Sequence, residues 1–322
     1  MGTPRDAGMR NGLPAPPPKR YLDLGAIALT LFMSSIWGGN TIAVKLGLED
    51  APPMRLAWMR FLLAGGSVFV WARISKAPLR VERGERYILA VIGVLFVIQI
   101  AMFNWGTYLT TAGHVGVLLN VYPVHVIVLA HFFVPDDRLT ARKFFAVLAA
   151  YAGAVLVFVP QVHGIRATLL GDLIISASGV VLAVRTIILN RALRRVNQTK
   201  LLLDQVVLGV PAFFLLDLLT EGHIPTHYTG RLGLSLLYQG ILSSGFNFIV
   251  NLWLLKQYQP SALAPFFLST PIFGVLLSWW ILGEPLTPYL FAGAILVAVG
   301  IGVGSLRGDL LKAGKARLRK TT

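Results

Sequence analysis

Residues 258–288 read YQPSALAPFFLSTPIFGVLLSWWILGEPLTP. The apolar run inside them, 262–282, carries Pro265 and Pro271 and ends in Gly283-Glu284-Pro285. In a soluble helix each interior proline costs about 3 kcal/mol. In a membrane bundle, neighbouring helices re-satisfy the carbonyls that a proline frees, so such a run survives there. The stretch has a diverged twin at 115–140, VGVLLNVYPVHVIVLAHFFVPDDRLT, with Pro123 where the later copy has Pro271. A duplicated, proline-broken apolar run points to an all-α membrane protein made of two copies of one unit.

Composition agrees. Of 322 residues 55% are hydrophobic and 13% charged, with a mean hydropathy of +0.69. Soluble domains are about one quarter charged, so this balance marks a polytopic membrane chain. The absence of cysteine excludes disulfides, thiol catalysis and thiolate metal sites. The net charge of +15 does not describe a nucleic-acid surface, because the basic residues lie in short clusters between apolar runs.

Residues 1–21, with Pro4, Pro14, Pro16, Pro17 and Pro18, read as a disordered cytoplasmic tail. The first apolar run is too long for a signal-peptide core and lacks a small-x-small cleavage site, so it reads as a retained helix. Ten runs follow, at 22–44, 55–73, 87–105, 112–134, 142–160, 169–190, 201–219, 232–253, 262–282 and 288–305. With the N-terminus inside, 23 Lys and Arg fall in cytoplasmic segments. Only Lys45, Arg55, Arg166 and Arg231 fall outside. That asymmetry fits ten spans with both termini cytoplasmic; nine or eleven would put part of it on the wrong side.

Aligning Pro123 with Pro271 also brings Trp105 onto Trp253. One residue of slippage later, Leu139-Thr140 meets Leu286-Thr287 and Gly153 meets Gly300. SSIWGGNTIAVK (34–45) corresponds loosely to SGVVLAVRTIILN (178–190). Five spans per copy is an odd number, so the second copy enters the membrane upside down. Inverted repeats of this kind recur in secondary transporters, with substrate near the midplane between the copies. The expected layout is two five-helix repeats at 22–160 and 169–306, a periplasmic linker at 161–168 and a basic cytoplasmic tail at 307–322.

The second half resembles the EamA domain of the drug/metabolite transporter superfamily. The residues that carry the likeness are Gly171-Asp172, Arg191, Gly283-Glu284-Pro285-Leu286-Thr287 and the glycine-rich last helix. In the first half they are Trp37-Gly38 with Lys45, then Pro52-Pro53 and Arg60-Phe61. The match runs over about residues 24–306, and it departs from the family at Pro135-Asp136-Asp137-Arg138, where one acidic residue is usual. The resemblance implies a bacterial inner-membrane exporter or permease for small metabolites, often amino acids or their relatives, working by alternating access.

Polar groups at bilayer depth need partners or a water-lined cavity. Arg60 would either snorkel to the outer surface or border the cavity as a fixed cation. Arg185 takes the place of Asn40 in the loose alignment; it would either reach cytoplasmic water or a helix-end carbonyl, or hold a carboxylate or phosphate in a central site. Trp37 shares a face with Asn40 at i, i+3. His114, Asn120, Tyr122, His125 and His131 make the fourth run unusually polar; each histidine reads first as a hydrogen bond to a neighbouring helix, with His114 and His125 as the candidates for proton coupling. Asn104 with Tyr108, and Asn247 with Asn251, are i, i+4 pairs that could serve as inter-helix glue or as cavity donors. Phe267 completes the expected substrate-binding set. Asp172, Asp204, Asp217 and Glu284 fall at the ends of runs, which argues against a relay of carboxylates at mid-span.

No metal or cofactor is expected, and no Walker loop is present. A membrane-embedded enzyme would need catalytic groups converging at one level, and a non-transporting sensor would need a soluble output domain. The expected partners are a small-molecule substrate and membrane lipid, with no nucleic acid, in a monomer or homodimer. The arginines favour an anionic or zwitterionic substrate; Trp37 and Phe266-Phe267 favour one with an apolar side group.

Overall fold

A computed structural model describes residues 23–133, 139–162, 168–193, 195–258, 263 and 266–305. The Pro135–Arg138 departure, both terminal tails and Pro265 lie outside them. The described residues are helical, without strands. In chain order the helices are α1 (Leu24–Gly47), α2 (Pro53–Ile74), α3 (Arg86–Leu109), α4 (Ala112–Phe133) and α5 (Ala141–Val162). There follow α6 (Leu169–Ala192), α7 (Gln198–Thr220), α8 (230–257), α9 (Thr270–Leu282) and α10 (Pro288–Ser305). Seven helices among the described residues are long and apolar enough to cross a membrane: α1, α3, α4, α5, α6, α7 and the 230–251 part of α8. The remaining three are α2, which carries Arg55, Arg60 and Arg73, and the shorter α9 and α10. This is a multi-pass membrane protein.

Both matched prolines sit where a helix restarts. A 3₁₀ turn at Leu119–Val121 interrupts α4 just before Pro123, and α9 starts at Thr270-Pro271 after a turn. Proline suits a first turn, where its missing N–H has no intrahelical partner to lose. The third run extends to Leu109, and only Thr110 and Thr111 separate it from α4. At the other end of α9, Gly283 adopts φ 67°, the left-handed cap that closes a helix before Pro285.

Charged side chains from one helix finish the N-termini of others. Glu221 accepts from the Met54 and Arg55 amides at the start of α2, at 2.8 and 3.3 Å. Glu284 accepts from the Ala112 and Gly113 amides at the start of α4, at 2.7 and 2.9 Å. A carboxylate there satisfies orphan donors and meets the positive end of the helix dipole.

The main packing pairs are α5 with α10, α3 with α6 and α7, α2 with α7 and α8, α1 with α8 and α9, and α4 with α6 and α9. Glycines set the closest crossings. A Cβ on Gly153 would stand 2.6 Å from the Gly293 carbonyl, and one on Gly300 would stand 2.7 Å from the Ala146 carbonyl. A Cβ on Gly38 would meet the Gly274 amide at 2.8 Å. Large side chains such as Phe69, Phe132, Phe145, Leu219 and Trp280 point outward, as a lipid-facing surface requires.

Candidate functional site

Two arginines lie inside the bundle without a carboxylate. Arg60 of α2 is 6% exposed. It donates through NH1 to Gln239 Oε1 of α8 at 3.1 Å, and its Nε has no acceptor. Its guanidinium stands 4.5 Å from the Phe61 ring centre and 5.5 Å from that of Phe103. Arg185 of α6 stands 5.1 Å from the Phe96 ring, with Tyr122 of α4 in electrostatic reach and a buried NH1 that has no acceptor. Phe61, Phe96 and Phe213 pack on one another at 4.9–6.0 Å, so an aromatic cluster stands between the two cations.

Burying a charge without its counter-ion costs several kcal/mol. A cation–π contact returns about 0.5–2 kcal/mol, which does not balance it. Gln239 is itself placed by bonds to Ser235 Oγ at 2.7 Å and the Ala43 carbonyl at 3.4 Å. It lies in a π-helical stretch of α8, Tyr238–Phe246, a distortion that recurs at functional sites.

The other expected residues are distributed as follows. Trp37 and Phe267 pack together at 5.4 Å where α1 meets the start of α9. Asn40 is half-buried and its side chain makes no hydrogen bond among the described residues. Asn104 donates to the Pro53 carbonyl at 2.8 Å and Asn247 to the Met33 carbonyl at 3.0 Å; each is fully buried with its Oδ1 unmatched. Asn120 bonds back to the Gly116 carbonyl at 2.6 Å. Asn251 is half-buried, and Tyr108 is 55% exposed. His125 lies 5.5 Å from the Tyr151 ring and against Gly179 of α6.

A second polar constellation joins the helix ends opposite the start of α1, here called the far end. His114 Nδ1 stands 3.0 Å from Asp172 Oδ2, and the Thr110 hydroxyl donates to Asp172 Oδ1. Asp172 is fully buried. Lys45 of α1 donates to the Thr107, Tyr108 and Thr110 carbonyls at the end of α3. Arg55 pairs with Asp217 at 3.0 Å, and the Trp58 and Trp105 indoles donate to Asp217 and Glu221 at 3.0 Å each. The opposite, near end carries Lys200–Glu85 at 2.7 Å, Tyr258 donating to Asp23 at 2.6 Å, and Arg191 donating to the Phe133 carbonyl.

Sequence reasoning left out the Asp172 partner of His114, the Gln239 partner of Arg60, and the ring cluster between the arginines. A glutamine in the middle of an apolar run was the available signal for Gln239.

Arg231 of α8 closes the far end against the loop before α2, holding Asp50 through Nε and NH2 at 2.8 Å each and also contacting Glu49. The hydrogen bond from Arg231 is the main reason the Asp50 carboxyl is lowered to about 2. A carboxyl depressed on folding stabilises the fold above its unfolded value near 4, and that contribution fades as pH falls through about 2. Wild type and Asp50→Asn should therefore differ in melting temperature by a constant amount from pH 5 to 8. Their curves should converge only below about pH 3. Convergence near pH 6 would contradict the pairing.

A bundle of apolar helices with buried cations at its centre and polar closures at both ends defines a membrane transporter. A family profile described as "EamA-like transporter family" matches residues 24–159 and again 169–305. The chain belongs to the EamA-like transporter family. It is 22% identical over 280 residues to the transporter YoaV of Bacillus subtilis strain 168, covering 86% of this chain and 94% of that one. It is 24% identical over 282 residues to a probable amino-acid metabolite efflux pump of Escherichia coli K12, covering 85% and 92%. A solved crystal structure that is 18% identical shares the fold with a TM-score of 0.60, over 88% of this chain and 98% of its own.

Proposed function

We propose that this chain is a secondary exporter of small metabolites, amino acids or related zwitterionic and anionic compounds, working by alternating access between two inverted five-helix repeats. The observation that carries the reading is a pair of guanidiniums inside the bundle, each with one buried nitrogen that has no acceptor: buried Arg60 in the first repeat and half-buried Arg185 in the second. The family profile matching twice supports the repeat. So does the packing: exchanging α1–α5 with α6–α10 turns α1–α9 into α6–α4, and α3–α6 into α8–α1. The same exchange relates Thr110–Asp172 to Tyr258–Asp23, and the Gly153–Gly293 crossing to Gly300–Ala146.

On this reading the membrane is the bacterial inner membrane, crossed ten times, with both termini in the cytoplasm and the far end in the periplasm. The far-end network is then an outer closure, and His114 with Asp172 is the place where a proton could bear on it. The name of the Escherichia coli relative supports an amino-acid metabolite as cargo.

In proteoliposomes Arg185→Ala and Asn40→Ala should each lower flux at least tenfold at unchanged membrane expression, about 1.4 kcal/mol of lost interaction. Unchanged flux in both would remove the central site.

A further inference from the structure

The inference that follows rests on the central site just proposed. We infer that the cargo carries a net negative charge: Arg60 and Arg185 form two cationic stations for an organic anion, and among the described residues neither is paired with a carboxylate.

The two stations are stacked along the transport axis. Arg60 is seven residues into α2 from the far end, and Arg185 is seven residues from the near-end limit of α6. At 1.5 Å per residue each lies about 10 Å inside the bundle, one in each half of its depth. The aromatic cluster bridges them in steps of 4.5, 4.9 and 5.1 Å, from Arg60 to Phe61 to Phe96 to Arg185. Both guanidiniums keep a buried N–H without an acceptor, and neither forms an ion pair among the described residues. Planar donors beside apolar ring faces suit a carboxylate with an attached aromatic or aliphatic group.

An ammonium group arriving with the carboxylate would meet these two cations and no acid. Among the described carboxylates within the helices or capping their ends, Asp23 is bonded to Tyr258 and Asp172 to His114 and Thr110. Asp217 is paired with Arg55 and Glu85 with Lys200, Glu221 caps α2 and Glu284 caps α4. Asp204 of α7 is the exception, with a buried Oδ2 that makes no bond. It forms no ion pair with either arginine. A zwitterion brings a second charge that repels both arginines and has only ring faces and amide oxygens such as Asn104 Oδ1 to offset it, whereas an anion gains the same carboxylate contact without that cost.

Phenylalanine, N-acetylphenylalanine and phenylalanine methyl ester test this with one side chain in zwitterionic, anionic and cationic form. Binding is read as a ligand-induced thermal shift of the purified full chain, and transport as counterflow in proteoliposomes. N-acetylphenylalanine should bind at least tenfold more tightly than phenylalanine, and the ester should give no shift. Arg60→Gln and Arg185→Gln should each weaken the anion at least tenfold, while Arg60→Lys retains part of the preference. Removing an unmatched buried cation should leave Arg60→Gln folded at least as stably as wild type, so its loss of binding is not a folding defect.

Phenylalanine binding as well as its N-acetyl form, with Asp204→Asn removing that binding, would overturn the inference and leave the transporter reading standing. An arginine-dependent shift with N-acetylphenylalanine, but no counterflow of any probe, would uphold the anion site and remove the transporter reading. Silence from all three probes in both assays would overturn the inference.

Discussion

Gly38→Leu should leave a folded protein that transports at least a hundredfold more slowly. A Cβ at Gly38 would lie 2.8 Å from the Gly274 amide and 2.9 Å from the Thr270 carbonyl. Both obstacles are backbone of α9, so no side chain can turn aside to make room. Gly116 of α4 approaches the same point, where a Cβ would come 3.5 Å from the Gly274 Cα. Three helices therefore close around one spot at mid-depth, each through a glycine. Overpacking a crossing of this kind costs about 1–3 kcal/mol.

Where the penalty falls decides its effect. The proposed mechanism makes α1–α9 a contact between repeats that tightens and loosens during the cycle. A penalty of about 3 kcal/mol on the closed arrangement alone shifts a two-state balance by more than a hundredfold. Gly153→Leu provides the contrast. Its Cβ would come 2.6 Å from the Gly293 carbonyl and 2.9 Å from the Val297 amide, in the long α5–α10 seam. If that seam holds in every state, the substitution should lower the melting temperature or prevent folding instead of trapping one state. Flux and melting curves on the two variants separate these outcomes. Full transport by Gly38→Leu would mean that α1 and α9 do not part as proposed.

The helices were legible in the sequence because an apolar run needs no partner to be recognised. Pro123 and Pro271 marked the breaks in α4 and α9 for the same local reason, a missing donor and a fixed φ. The contacts that define the site are of a different kind. Arg60 reaches Gln239 over 179 residues of chain, and His114 reaches Asp172 over 58. Nothing in the neighbourhood of either residue announces its partner. Arg60 could be read equally as a snorkelling side chain or as a cavity cation until α2, α3 and α8 were placed together. Glu284 reads as an ordinary end-of-run acid, yet it caps a helix far away in sequence, as does Glu221. Asp172 likewise stands at the end of a run, and what a mid-span count of acids overlooks is that α4 brings a histidine to it.

That histidine carries the second large effect. A histidine in contact with a buried carboxylate ties any proton it carries to the integrity of that contact. The charged groups around the pair are few. Lys45 of α1 lies on the Thr110 carbonyl, and Glu284 caps the adjoining Ala112 and Gly113 amides. Asp172 itself also receives the Thr110 hydroxyl. Protonation that strengthens or breaks the pair therefore acts directly on the junction of α3, α4 and α6 at the far end. Asp172→Asn keeps a similar shape and an acceptor for Thr110 but removes the charge. Flux driven by a pH gradient in proteoliposomes should fall at least tenfold in Asp172→Asn and in His114→Ala, while downhill exchange in the absence of a gradient continues. His125 offers the internal control, since its ring packs on Tyr151 and Gly179 with no carboxylate beside it among the described residues. His125→Ala should keep the gradient response. A response that survives His114→Ala, or one that His125→Ala alone removes, would transfer proton coupling away from the Asp172 pair and leave that pair a structural tie.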